Sequence, residues 1–216
     1  MKRVLVFGDS NSWGHVPAKC TRYPEDSRWP AVAAALLGPE YRIIEDSISG
    51  RTTVYEDPVV PFRCGKDNLG YSMLAHAPLD LVVLALGGND LKFTDADGVI
   101  RGVSRLIDMV RGADQLFCSF SPIFRDQPRI LLMSPARIAE EIPELRPGHA
   151  LRFAPKETLL LPEKYETLAK EKGTWVIHAS RYAEPELTDC IHFSPESHRA
   201  LGQAAAEAIR GIFEEK

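Results

Sequence analysis

The feature that most constrains the fold is an apolar run near the start of the chain that ends in a Gly-Asp-Ser turn. The run covers residues 4–7 and is followed directly by Gly8-Asp9-Ser10. A short apolar run bounded by turn residues is typical of a β-strand that is buried on both faces of a sheet. Ser10 would then lie just past the carboxyl end of the first strand, where open α/β sheets bind their ligands. The same residues also fit a plain helix cap, in which Asp9 and Ser10 only begin the next helix.

Similar patterns along the chain predict four further strands and the helices between them. Short apolar runs predict strands at residues 41–45, 79–86, 130–133 and 174–178. Periodicity and capping residues predict helices at residues 27–37, 98–111 and 162–172, within 68–76, and from Ser194 to the carboxyl terminus. Two segments are predicted to be mostly irregular, the second as a surface lid or pocket loop: residues 56–71 and 136–162. Strands that alternate with helices predict an α/β fold with a five-stranded, parallel, doubly wound sheet.

Composition and charge narrow the classes of function. The 216 residues contain no obvious linker, so a single domain over residues 1–216 is expected. The formal net charge of -4 provides no basic surface, and nucleic acid is therefore not an expected partner. The apolar runs are too short to span a membrane, and Asp9 interrupts the first of them too early for a signal peptide. We therefore predict a cytoplasmic protein without a membrane partner.

The four cysteines are far apart and do not have the spacing of a structural zinc site: Cys20, Cys64, Cys118 and Cys190. They are predicted to be reduced thiols, as is usual in the cytoplasm. No other cluster of metal ligands is visible along the sequence. Neither a metal nor another cofactor is expected.

Several polar residues that suit catalysis follow predicted strand ends or lie in a late loop. Right-handed crossovers place the carboxyl ends of parallel strands at one edge, where these residues are expected to converge: Ser10, Gly50, Asn89 and His192. A serine becomes an effective nucleophile when a base takes its proton and a third group orients that base. His192 is the leading base, and Asp189 in the same short loop could bind its other ring nitrogen. Taken alone, Asp-x-x-His also fits a local hydrogen bond at the start of a helix.

An acyl-transfer reaction also needs donors aimed at the oxyanion of its tetrahedral intermediate. The candidates are the backbone N–H groups of Ser10 and Gly50 and the side-chain amide of Asn89. A Gly-Gly-Asn-Asp turn has a structural explanation too, because Asn and Asp both favour turns. Asp9 and Asp90 are alternative catalytic acids, but the preferred interpretation is that they hold loop amides in place.

The remaining histidines lack a nearby acid in a comparable sequence frame, and structural roles are preferred for them: His15, His76, His149, His178 and His198. Of these, His15 and His149 keep a smaller chance of lining the pocket. Aromatic residues near the predicted site are candidates for substrate binding: Trp13, Phe153 and Phe193.

Four segments together resemble the sequence blocks of the SGNH (GDSL-type) hydrolases, in order and near their usual places: Gly8-Asp9-Ser10, Gly50, Gly87-Gly88-Asn89-Asp90 and Asp189-Cys190-Ile191-His192. The resemblance covers essentially the whole chain. It implies a flavodoxin-like, three-layer α/β/α fold and a triad of Ser10, Asp189 and His192. It also implies an oxyanion hole formed by Ser10, Gly50 and Asn89.

Within that superfamily the chain is similar to the bacterial arylesterase/acyltransferase subgroup. The similarity is carried by Gly-Asp-Ser-x-x-Trp-Gly, Arg28-Trp29 and Ser49-Gly50-Arg51-Thr52-Thr53. Gly88 stands where the family often has Thr, and Gly50 where some members have Ala, but neither difference removes a catalytic group. Members differ most in the insertion at residues 136–161. The resemblance implies a homo-oligomer with a restricted pocket.

The favoured hypothesis is a serine esterase acting on small acyl esters, with acyl transfer to alcohols as a further activity. The alternative enzyme is a carbohydrate O-deacetylase that uses the same triad. A non-catalytic, flavodoxin-like binding module is disfavoured, because no Gly-x-x-x-x-Gly-Lys loop follows the first strand and no triad residue is missing. The expected partner is therefore a small-molecule ester.

Overall fold

A sheet of five parallel strands forms the centre of the computed structural model, which describes residues 1–117 and 121–215. The strands are β1 Lys2–Gly8, β2 Tyr41–Ser47, β3 Leu79–Ala85, β4 Phe124–Ser134 and β5 Trp175–His178. Their order in the sheet is β2-β1-β3-β4-β5, and every pairing is parallel. This is the flavodoxin-like order, whose topological switch point lies between β1 and β3. The predicted α/β fold with a five-stranded parallel sheet is confirmed.

Helices cover both faces of the sheet. The described residues form α1 Ser10–Trp13, α2 Trp29–Leu37, α3 Gly65–His76, α4 Ala96–Arg111, α5 Ala113–Leu116, α6 Ile142–Leu145, α7 Pro155–Lys172 and α8 Pro195–Glu214. Helices α2 and α8 share one apolar core with the sheet, and α3, α4 and α7 share the other. The architecture is therefore three-layer α/β/α.

Strand β1 contributes side chains to both cores. Val4 and Val6 pack in the core beneath α2 and α8, whereas Leu5 and Phe7 pack in the opposite core. All four side chains are fully buried. Side chains alternate between the faces of a strand, so an unbroken apolar run is needed to place apolar side chains in both cores.

Helix α7 begins earlier than predicted. It starts at Pro155 and continues through Pro162, which the sequence analysis had placed as its first residue. Proline in a helix interior removes one backbone hydrogen bond. Here Leu161, Tyr165 and Leu168 are buried in the core on both sides of that position, and this packing maintains the helix. The predicted irregular segment therefore ends at residue 154 and includes the short helix α6.

Helix α3 also begins earlier than predicted, at Gly65 within the segment that was expected to be loop. The Gly65 N–H donates to the Thr52 carbonyl at 3.1 Å. A Cβ atom at Gly65 would lie 2.6 Å from that oxygen. Gly65, which the sequence analysis took as a sign of a loop, therefore allows the backbone at the start of α3 to approach the backbone of Thr52.

Three cysteines are free thiols, as predicted: Cys20, Cys64 and Cys190. The prediction for Cys118 lies outside the described residues. Within residues 1–117 and 121–215, no helix has both the length and the apolar character needed to cross a membrane.

Buried polar side chains join the loops at the carboxyl edge of the sheet. Arg51, after β2, donates to the Gly8 carbonyl at 3.2 Å and to the Asp46 carboxylate at 2.8 Å. Asp90, after β3, is fully buried. It accepts the Thr53 N–H at 3.1 Å and also the Thr53 hydroxyl. These contacts hold the loops after β1, β2 and β3 against one another.

The Asp90 carboxyl makes stability depend on pH. Burial raises its pKa from 3.8 to about 7; the Thr53 hydrogen bonds lower it and the charge of Asp9 raises it further. Between pH 3.8 and about pH 7, Asp90 keeps its proton in the folded protein but has lost it in the unfolded chain. The free energy of unfolding contributed by Asp90 therefore falls as the pH rises from about 4 to about 7.

We expect Asp90→Asn to weaken this pH dependence, because the amide does not ionise. From about pH 5 to about pH 7, the free energy of unfolding of the Asp90→Asn protein should fall by about 1–2 kcal/mol less than that of the wild type. Urea unfolding at both pH values measures the difference. The exposed Asp126 provides the control, and Asp126→Asn should follow the wild type. Identical pH dependence in wild type and Asp90→Asn would contradict the assignment.

Candidate active site

Ser10 lies where β1 ends, as the first residue of helix α1. The Asp9 side chain caps this helix and accepts the Asn11 N–H at 3.0 Å. A Cβ atom at Gly8 would lie 2.4 Å from the Ser12 hydroxyl oxygen, so only glycine allows α1 to turn this tightly against the strand. The local sequence thus places Ser10 at the switch point of the sheet.

The loop before α8 brings His192 and Asp189 to Ser10. The Ser10 Oγ lies 3.0 Å from Nε2 of His192, and Nδ1 of the same ring lies 2.7 Å from Oδ2 of Asp189. The other carboxylate oxygen of Asp189 accepts the N–H groups of Ile191 at 3.0 Å and His192 at 2.9 Å. The three residues predicted for the triad therefore form a continuous row of hydrogen bonds.

Asp189 is suited to orient the imidazole. Burial alone would raise its pKa, but hydrogen bonds from the His192 ring, the His192 N–H and the Ala18 N–H outweigh this effect. The pKa of Asp189 is therefore held well below its ordinary value, and the carboxylate is ionised at neutral pH. An ionised carboxylate accepts Nδ1–H, which leaves the lone pair of Nε2 facing Ser10. A general base needs this arrangement.

Two of the three predicted oxyanion donors belong to one cavity. Ser10 and Asn89 line a cavity at the carboxyl edge of the sheet. The Ser10 N–H lies in the first turn of α1, where N–H groups have no partner within the helix. Asn89 begins the 3₁₀ turn Asn89–Lys92 that follows β3. Ser10 and Asn89 thus border the same cavity, and their role as oxyanion donors stays a prediction.

Gly50 lies in the loop after β2 and is not among the residues that line this cavity. The loop is fixed beside Ser10, because the Ile48 N–H donates to the Gly8 carbonyl at 3.3 Å. Gly50 has a φ of +82°, and a Cβ atom there would lie 2.8 Å from the Arg63 side chain. Both the backbone conformation and the contact favour glycine at this position.

The predicted substrate-binding aromatics are placed differently from one another. Phe193 is buried and lines the cavity with Trp29, Met133 and Leu201. Trp13 does not line it, and the Arg22 guanidinium lies over the Trp13 ring. Phe153 is 73% exposed and also lies outside the cavity. The structure thus brings one of the three aromatics to Ser10.

Asp9 and Asp90 hold loop amides, as the preferred interpretation predicted. Asp9 binds the Asn11 N–H, and Asp90 binds the Thr53 N–H. Burial raises the pKa of Asp9 to about 6, although the Asn11 hydrogen bond lowers it. Neither carboxylate is hydrogen-bonded to His192.

His15 lies against His192, a contact that the sequence analysis did not identify. Their ring centroids are 4.2 Å apart and the ring planes are inclined by 36°. Burial, followed by the charge of His192, lowers the pKa of His15. The sequence signal for this contact was weak, since it consists only of the closeness of His15 to Ser10 in the chain. In the structure one tight turn separates them, and the His15 N–H donates to the Ser10 carbonyl at 3.0 Å. By contrast, His149 lines a separate surface pocket with residues 145–148.

Two other histidines have structural roles, as expected. His178 is buried and lies 2.9 Å from both the Ser134 hydroxyl and the Glu166 carboxylate. His198 is fully buried, and its Nδ1 accepts the Trp29 N–H at 3.3 Å.

Solved structures of similar proteins cover nearly the full length of the chain. The aryl esterase of M. smegmatis has 31% sequence identity and a TM-score of 0.88, covering 98% of this chain and 100% of its own. A carbohydrate acetylesterase family member from Sinorhizobium meliloti has 31% identity and a TM-score of 0.90, covering 99% and 100%. Est24, a carbohydrate acetylesterase from the same organism, has 28% identity and a TM-score of 0.88, covering 99% and 100%.

The sequence itself was compared with protein families and with curated proteins. No curated protein matches it. Residues 6–200 match the model of the GDSL-like lipase/acylhydrolase family, in agreement with the resemblance to the SGNH (GDSL-type) hydrolases. This match spans most of the chain, including every residue of the hydrogen-bonded row, and the chain belongs to the GDSL-like lipase/acylhydrolase family.

Proposed function

We propose that this carboxylic ester hydrolase cleaves small acyl esters through an acyl-enzyme formed on Ser10. The observation that carries the proposal is the row of hydrogen bonds from Ser10 through His192 to Asp189, at 3.0 Å and 2.7 Å. In this row a nucleophile, a base and an orienting carboxylate occupy the positions that acyl transfer requires. Ser10 also borders a cavity that can receive an acyl group.

In the first half-reaction, Nε2 of His192 takes the Ser10 proton while Oγ attacks the ester carbonyl. The ionised Asp189 stabilises the imidazolium that forms. The oxyanion accepts hydrogen bonds from the N–H groups of Ser10 and Gly50 and from the Asn89 amide. His192 then gives its proton to the leaving alcohol as the ester bond breaks. In the second half-reaction His192 deprotonates water, which attacks the acyl-enzyme. His192 then returns this proton to the Ser10 Oγ as the acyl–Oγ bond breaks and the acid is released.

We also propose that small acyl groups are preferred and that alcohols compete with water for the acyl-enzyme. Trp29, Met133, Phe193 and Leu201 give the cavity apolar walls that hold a carbon chain better than water does. A homo-oligomeric state and a cytoplasmic location remain predictions from the sequence.

Acetylated carbohydrates are the second candidate substrates. This proposal is favoured by the similarity to carbohydrate acetylesterases from Sinorhizobium meliloti, at 31% and 28% identity. Acetyl is the smallest common acyl group, so the same acyl cavity serves either leaving group. The two candidates differ only in the alcohol part of the ester.

Ser10→Ala should lower kcat by at least about a thousandfold while leaving the fold intact, because the nucleophile and its base act as a unit. Rates on p-nitrophenyl acetate and circular dichroism measure the two effects. A fluorophosphonate should label the wild type stoichiometrically at Ser10. Ser12→Ala is the matched control and should still be labelled, since the Ser12 hydroxyl instead accepts the Trp29 indole N–H at 3.3 Å. Residual activity above about a tenth of wild type would contradict the assignment of Ser10.

Asn89→Ala should lower kcat by roughly a hundredfold and change KM much less, because an oxyanion donor acts mainly on the transition state. Steady-state kinetics on one aryl ester separate the two constants. Asn68→Ala is the control away from Ser10, since that amide donates to the Cys64 carbonyl at 2.7 Å. If Asn89→Ala raised KM and left kcat unchanged, Asn89 would bind substrate instead.

Acyl transfer should appear as ester formation from a vinyl ester and a short alcohol in aqueous buffer. The alcohol is titrated at a fixed concentration of donor ester, and the products are separated by gas chromatography. We expect the ratio of new ester to free acid to rise with alcohol concentration and to be highest for short acyl chains. Free acid alone at every alcohol concentration would leave hydrolysis as the only activity. Parallel assays on acetylated sugars decide between the two substrate classes.

A further inference from the structure

Three side chains that can ligate a metal converge beside Ser10. Among residues 1–117 and 121–215 they are His15, Asp189 and His192, and one ligand atom from each lies within 4.8 Å of the other two. The centroids of the two imidazole rings are 4.2 Å apart, and the ring planes are inclined by 36°. His192 and Asp189 belong to the row that catalysis uses, but His15 has no part in the proposed reaction.

We propose that His15, Asp189 and His192 form a site at which Zn²⁺ binds and reversibly inhibits the enzyme. The metal is an inhibitor here and takes no part in ester cleavage. The inhibition rests on the proposed role of His192 as base, whereas the binding of Zn²⁺ rests only on the geometry of the three side chains.

The donor set suits Zn²⁺. Two imidazole nitrogens and one carboxylate oxygen are common zinc ligands, and three protein ligands leave one position for water. Imidazole favours zinc, copper and nickel, whereas magnesium and calcium prefer oxygen ligands alone. Added Mg²⁺ should therefore leave the site free.

Hydrogen bonds hold the His15 backbone and the Asp189 carboxylate before a metal arrives. The His15 N–H donates to the Ser10 carbonyl at 3.0 Å, and His15 forms an antiparallel bridge with Arg22. The N–H groups of Ile191 and His192 hold one oxygen of Asp189 at 3.0 Å and 2.9 Å. Hydrogen bonds that orient metal ligands typically raise metal affinity.

Zinc bound by all three side chains takes Nδ1 of His192, the ring nitrogen that faces Asp189, and this blocks the proposed reaction. Nε2 lies 3.0 Å from the Ser10 hydroxyl oxygen and is the atom that accepts its proton. Nδ1 lies 2.7 Å from Asp189 and carries the hydrogen bond that orients the ring. A metal on Nδ1 displaces its proton and breaks the contact with Asp189.

The test compares zinc inhibition in two histidine variants. Both are made in untagged Cys20→Ser protein, because the exposed Cys20 thiol is another ligand for zinc. His15→Gln removes the ligand that catalysis does not use. His149→Gln is the matched control, since His149 is also half-buried but lines a separate pocket. Ester hydrolysis is measured against ZnCl₂ concentration, and each rate is divided by the zinc-free rate of the same variant.

We expect the zinc concentration for half-inhibition to rise at least about tenfold in His15→Gln and to stay unchanged in His149→Gln. A chelator should restore the lost rate, and MgCl₂ should not inhibit. Equal zinc sensitivity in His15→Gln and in the Cys20→Ser parent would overturn the proposal.

A binding measurement separates the zinc site from the proposed catalytic role. Calorimetric titration of ZnCl₂ into Cys20→Ser/Ser10→Ala, with and without His15→Gln, needs no activity. Binding that is weakened by His15→Gln supports the site, even if Ser10 should fail as the nucleophile. Binding that His15→Gln leaves unchanged overturns the site, even if the esterase assignment holds. Circular dichroism of each variant establishes that the fold is retained.

Discussion

The whole architecture depends on strand β1, which is buried on both faces and paired on both edges. It forms parallel ladders with β2 and with β3, and its four apolar side chains from Val4 to Phe7 fill two separate cores. A strand in this position cannot shift its register without moving apolar groups out of both cores. The end of β1 is therefore fixed, and with it the position of Ser10 at the switch point.

Hydrogen bonding decides whether the pKa of each buried carboxylate near Ser10 lies above or below its ordinary value. Asp189 accepts the N–H groups of Ala18, Ile191 and His192 together with the His192 ring, and these bonds keep its pKa low despite burial. At Asp90, burial outweighs the hydrogen bonds from the N–H and hydroxyl of Thr53 and raises the pKa to about 7. Asp189 is thus an ionised carboxylate bound to the His192 ring, whereas Asp90 joins two loops.

The sequence predictions were accurate where local signals decide the structure, and less accurate where contacts with the rest of the protein decide it. Apart from β4, the strands and the α8 cap were predicted close to their observed bounds, because apolar runs and the Ser194-Pro195 pair act locally. Strand β4 was predicted at residues 130–133, but it begins earlier, at Phe124, in a segment without a continuous apolar run. The start of α7 was predicted wrongly: the local signal of Pro162 favours a helix start, but the buried face around Leu161 and Tyr165 extends the helix back to Pro155. Packing against the rest of the protein outweighed one missing hydrogen bond.

The sequence by itself determined the parallel α/β fold and the residues that end beside Ser10, since strand ends in a parallel sheet meet at one edge. Only the tertiary structure decided which side chains touch. It placed His15 against His192, Phe193 in the cavity, and Trp13 and Phe153 outside it. Such contacts join residues far apart in the chain, and they depend on how loops pack across the sheet edge. No local pattern of residues encodes that packing.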